Sequence, residues 1–96
     1  MPRSLHLYHT RYSKNQDIFN PQFRVQGTKI YKTSYNLEEG NDLLPWYEIR
    51  GNRVFATAHS PYGHSFLPYY EIRSDKIFQT RNHPDGASRF PAYILK

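Results

Sequence analysis

The chain has 96 residues, no cysteine, and 13 Lys and Arg against 8 Asp and Glu, a net charge of +5. A chain of this size buries only about 60 to 65 % of its extended surface, so one domain spanning 1–96 is expected, and the missing cysteines exclude disulfides and thiolate metal sites. No apolar run reaches the roughly 18 residues of a membrane helix, and Met1 to His6 lacks the apolar stretch of a signal peptide, so a cytoplasmic protein without membrane association is expected.

The first recognisable element is a strand around Leu5 to Thr10, ending in Leu7-Tyr8-His9-Thr10. Its pattern returns in a first full copy from Pro21, through Phe23, Val25, Gly27, Lys29, Ile30 and Tyr31, to Thr33. The loop from Tyr35 to Gly40 follows, one residue longer than its later counterparts, and Leu37 to Leu44 is the one stretch with room for a helical turn. The second copy runs Pro45-Trp46-Tyr47-Glu48-Ile49-Arg50-Gly51-Asn52-Arg53-Val54-Phe55-Ala56-Thr57. Pro68 to Thr80 repeats it 23 residues later, and Pro61, Gly63 and Ser65 then fall on Pro84, Gly86 and Ser88. The chain ends on half a copy, Pro91 to Lys96. A fixed period of this kind marks a repeat architecture, in which each unit buries its apolar face against its neighbours.

Within a copy, the physics is that of a β-hairpin. Tyr47 to Arg50 alternates apolar and polar, Gly51-Asn52 is a two-residue turn able to take positive φ, and Arg53 to Thr57 is rich in strand formers. A two-residue turn sets Ile49 opposite Val54 and Glu48 opposite Phe55. One face then carries Tyr47, Ile49 and Val54, repeated as Tyr70, Ile72 and Ile77 and as Phe23, Val25 and Ile30; these residues are expected to be buried together. The other carries Glu48, Arg50, Arg53 and Phe55, whose charges partly neutralise one another and are read as structural. Proline precedes each first strand at Pro21, Pro45, Pro68 and Pro91, where a missing N–H costs little.

An isolated hairpin cannot hide its apolar face. The half copy at the C-terminus supplies the first strand of a hairpin whose second strand is Leu5 to Thr10, so pairing Tyr93 to Leu95 with that segment closes a ring without free edges. The expected fold is therefore all-β, four β-hairpin repeats in a closed pseudo-fourfold ring. On its aromatic-x-Ile/Val strand, short polar turn and Ile/Val-aromatic-x-Thr strand, the chain resembles the small bacterial proteins called 4-fold beta flower proteins. The resemblance implies a fold and brings no activity with it.

Chemistry-bearing residues gather in the loops. Tyr62, His64, His83 and Asp85 occupy equivalent loops of successive repeats and are the candidate ligand-binding set, since a common frame there presents different side chains. Together with His59, Lys76 or Arg81, they also supply the imidazoles and cations of a metal-independent ribonuclease-type toxin, although no nucleophile motif identifies catalytic residues. Arg24, Arg53, Lys76 and Arg81 border a repeated aromatic row of Tyr8, Tyr31, Phe55 and Phe78 and would be the contacts of a nucleic-acid-binding protein. Core is the expected role of that row, with Leu44, Leu67 and Phe90 folded back over it, and Trp46 is expected at a rim or interface.

The glycines stand singly, and His6 and His9, three apart on a strand, project to opposite faces, so neither a cofactor nor a metal is implied. Three readings stay open: a noncatalytic module for a protein or small-ligand partner, a nucleic-acid binder, and a small ribonuclease. Each is compatible with a homo-oligomer.

Overall fold

The computed structural model describes residues 5–12, 17–38, 40 and 43–96. Eight antiparallel strands follow in chain order: β1 (Leu5–His9), β2 (Phe23–Gln26), β3 (Lys29–Lys32), β4 (Tyr47–Arg50), β5 (Arg53–Ala56), β6 (Tyr70–Arg73), β7 (Lys76–Gln79) and β8 (Tyr93–Leu95). Each pairs with its neighbour, and β1 pairs with β8 to complete a closed barrel of four hairpin units. The strands are joined as the repeat requires, with Ile49 facing Val54 and Ile72 facing Ile77. Among the described residues there is no helix, and so none long enough to cross a membrane. The stretch 37–44 lies partly outside the described residues, and its described members form bends or irregular chain.

The termini make the fourth hairpin. Leu7 lies opposite Leu95 and His9 opposite Tyr93, and His6 and Lys96 exchange two backbone hydrogen bonds of 2.9 Å where the other hairpins have a turn. In those turns the first residue has positive φ: Gly27 and Gly51 at 63°, Ser74 at 57°. Glycine takes this conformation without a steric penalty; Ser74 does not.

The repeated proline and threonine act as one device. The hydroxyls of Thr33, Thr57 and Thr80 donate to the carbonyls of Pro21, Pro45 and Pro68 at 2.5 Å, and Thr10 reaches Pro91 at 2.8 Å across the two ends of the chain. Each latch ties the end of a hairpin's second strand to the approach of its first. Proline serves here because its missing N–H lies just outside the ladder while its carbonyl remains an acceptor.

Inside, Phe23, Tyr47, Tyr70 and Tyr93 meet edge to face around the axis, with successive centroids 5.8, 5.6, 5.9 and 5.6 Å apart. Leu7, Ile30, Val54 and Ile77 fill the layer on the hairpin-turn side and are 0 to 3 % exposed. Val25, Ile49 and Ile72 pack against this core but remain half-buried, closer to the turns than full burial allows.

Two expectations are corrected. The row Tyr8, Tyr31, Phe55 and Phe78 lies half-buried outside the barrel, not in the core. A barrel has one interior, and alternation puts these residues on the face opposite Val54 and Ile77. There each carries a cation: Arg24 lies 4.4 Å from Tyr31, Arg50 4.8 Å from Phe55, Arg73 5.0 Å from Phe78 and Lys96 4.9 Å from Tyr8. Leu44, Leu67 and Phe90 do not fold over them and are exposed. Trp46 is buried at 1 %, because Gly40 of the longer loop rests on its indole, where a Cβ would meet Cζ2 at 2.3 Å.

Deleting residues 93–96 removes a strand, the Thr10 latch's neighbouring ladder and one ring of the aromatic tetrad. The expected outcome is loss of the cooperative thermal transition, measured by circular dichroism. Ser74→Gly relieves the one strained turn and should raise stability by about 1 kcal/mol in denaturant titration.

Candidate functional site

The three longer inter-hairpin loops and the loop after β1 all leave the barrel at the end opposite the hairpin turns. Between the loops after β1, β3 and β7 opens a cavity of about 970 Å³, whose floor includes Tyr70 and Tyr93 and whose wall includes His9, Gln79, Glu38 and Asp85. Ladder register explains the inward set. His9, Lys32, Ala56 and Gln79 lie opposite Tyr93, Phe23, Tyr47 and Tyr70, on the interior face, one layer further out toward the loops. They occupy one repeat position, between the outward aromatic and the latch threonine. The repeat holds its neighbours nearly constant and lets this position vary, which is the sequence signal for the mouth that motif-reading passes over.

Of the four candidate loop residues, three come together. Tyr62 packs edge-on against His83 at 6.0 Å, and both pack against Tyr69. His83 is buried and sits 5.0 Å from the Tyr70 ring. Its Nδ1 accepts the backbone N–H of Asp85 at 3.0 Å, which places the proton on Nε2, 3.1 Å from the Tyr70 hydroxyl. The Asp85 carboxylate lies 3.9 Å from Nδ1 and on the cavity wall. His64 is elsewhere: it packs on Phe66 at 4.8 Å and lines a smaller outer groove of about 290 Å³ with His59, Lys29, Glu48, Arg50 and Phe55.

The basic candidates do not share a face. Arg24, Arg53 and Lys76 stand on three different hairpins, outward, and Arg81 is exposed in the loop after β7. Arg24 donates to Gln26 at 2.8 Å, and Lys76 lies 3.5 Å from Asp75. The outer charges found their partners on the barrel itself: Arg50 on Glu48 and Arg73 on Glu71, each at 2.8 Å, with Lys29 also on Glu48. Hydrogen bonds from Lys29 and then Arg50 hold the Glu48 carboxyl below the ordinary range, and Arg73 does so for Glu71.

No protein-family model, curated protein or solved structure matches the chain. The barrel itself supplies the comparison. Eight antiparallel strands closed as four hairpin units match the β-flower fold.

The interior of this barrel resists ionisation. Burial pushes the phenols of Tyr47, Tyr70 and Tyr93 well above their ordinary range, with smaller contributions from one another and from Glu38. Burial lowers His83, opposed by Asp85, and lowers His9, opposed by Glu38 and Asp17. Both imidazoles therefore bind a proton less readily in the folded chain than in the unfolded one, whose value is near 6.5. Stability from this source is complete above about pH 6.5 and lost as pH falls through the depressed folded values. Protonating His83 Nδ1 also breaks its bond from Asp85. Denaturant titrations should show stability level at neutral pH and declining below about 6, with a shallower decline in His83→Gln.

Proposed function

We propose that the protein is a noncatalytic binding module whose ligand is a small molecule held in the loop-side mouth. The observation carrying this reading is the cavity of about 970 Å³ at the loop end of the barrel, walled by residues from several repeats. Its size falls in the range of ligand pockets. Its floor is rigid because the tyrosines there belong to the aromatic tetrad, while the wall varies from repeat to repeat, as a scaffold with interchangeable contacts requires. The paired rings of Tyr12 and Phe90, stacked at 4.3 Å on the wall, offer flat apolar surface, and the Gln79, Asn36 and Ser88 side chains offer polar contacts.

A ribonuclease-type activity is the second reading, favoured by the convergence of His59 and His64 in the outer groove beside Lys29 and Arg50. It ranks lower because Glu48 already engages both cations. A nucleic-acid-binding role ranks below it, since the candidate cations are spread over separate hairpins.

Ala87 is exposed on the mouth wall, so Ala87→Trp should obstruct the cavity without disturbing the core. In an NMR screen of neutral, cationic and anionic small molecules, the expected hit shifts Tyr70 and Tyr93 resonances and weakens at least about tenfold in that variant. Hits indifferent to Ala87→Trp would remove the mouth from consideration. RNA cleavage abolished by His59→Ala and His64→Ala would put the enzyme reading first.

A further inference from the structure

The mouth is charged against the rest of the molecule. The chain has 13 Lys and Arg against 8 Asp and Glu. Among the described residues, however, the cavity wall contains two carboxylates, Glu38 and Asp85, and neither Lys nor Arg. Lys32 shares the interior face at this level, but its Nζ donates to the Asn36 carbonyl at 3.2 Å and does not line the cavity.

The field of Glu38 reaches across the opening. It acts on Tyr70 and Tyr93 at the floor, on His9 in the wall, and on Tyr47 and Tyr62 beyond the lining, in each case favouring the more positive form. Asp17 acts on His9 in the same direction. His9 itself lies ring to ring with Tyr93 at 5.3 Å and is held toward its neutral form by burial, so it does not offset the carboxylates.

Resting on the reading of the mouth as a ligand site, we infer that its ligand is a small organic ammonium ion. A cation entering this opening meets carboxylates at the rim, the Phe90 ring stacked on Tyr12 on the wall, and the side-chain amide of Gln79. Aromatic faces attract a cation more strongly where water is excluded, and a recessed mouth excludes part of it. Among the described residues the cavity lining holds no cationic side chain to balance a phosphate or carboxylate, and Glu38 and Asp85 repel it; the nearby Arg11, 5.3 Å from the Tyr12 ring centroid and bonded to its hydroxyl, is exposed and outside the lining. A neutral polyol finds hydrogen bonds but gains nothing from the field.

The two carboxylates are exposed, so replacing them leaves the core intact. Putrescine and tetramethylammonium serve as primary and quaternary probes, glucose as the neutral probe and adenosine monophosphate as the anionic one. Each is titrated by calorimetry against wild type and against a Glu38→Gln, Asp85→Asn double variant, with thermal melting as the control for folding. The expected result is binding of at least one ammonium probe, weakened about tenfold in the double variant and by added salt, without binding of the anion. Ammonium binding of equal strength in both proteins overturns the inference. Binding of glucose or the anion, with tyrosine shifts at the mouth and no ammonium binding, also overturns it while leaving the mouth a ligand site. No binding by any probe, together with no mouth-directed hit in the wider screen, overturns both.

Discussion

Four rings meeting edge to face on the axis allow eight strands of three to five residues to close. Strands this short present only about two inward side chains each, too few to fill an eight-stranded interior with aliphatic groups alone. Phe23, Tyr47, Tyr70 and Tyr93 each meet two others of the set at steep interplanar angles, 68 to 86°. Pairs of this geometry contribute about 0.5 to 1.5 kcal/mol beyond the area they bury. The arrangement is a closed cycle, so losing one member costs each of two others one of its two ring partners.

The tetrad also divides the molecule into two chemical halves. Below it, Leu7, Ile30, Val54 and Ile77 make a dry layer that ends at the polar hairpin turns. Above it, the Tyr70 hydroxyl meets His83 of the loop after β7 at 3.1 Å. Phenols kept neutral by burial and an imidazole fixed in one tautomer form a floor of hydrogen-bonding groups without charge. The charge at the mouth comes instead from loop carboxylates. Floor and rim are thus set by different parts of the repeat, and the rim can change without cost to closure.

Outside, the repeat carries a second regular device. Each hairpin sets a cation over an aromatic ring, and where β2 departs from the pattern the contact survives: Arg24 occupies the position of Glu48, yet still covers Tyr31 and bonds to Gln26, which stands at the position of Arg50. The excess of positive charge is consequently distributed around the barrel wall and much of it is engaged. Net charge alone suggests a basic binding surface; the engaged cations on separate hairpins give it a structural use.

Periodicity and alternation are local properties of the chain, and from them the sequence by itself determined the hairpins, their register, the strand pairs Ile49 with Val54 and Ile72 with Ile77, and the pairing of the two ends. A half copy at each terminus admits only that closure. The face of the aromatic row was implicit in the same alternation, but choosing outside over core required knowing that the sheet curls into a single small interior. Only the tertiary structure decided that Trp46 is covered, since the cover is Gly40, a residue without a side chain to announce it. Only the tertiary structure gathered the mouth, because His9, Glu38, Gln79 and Asp85 come from four separate segments and meet through barrel closure and loop packing. It likewise parted His64 from His83: equivalent loops in a repeat share their anchors, the prolines and latch threonines, while their side chains are free to turn to different sides of the wall.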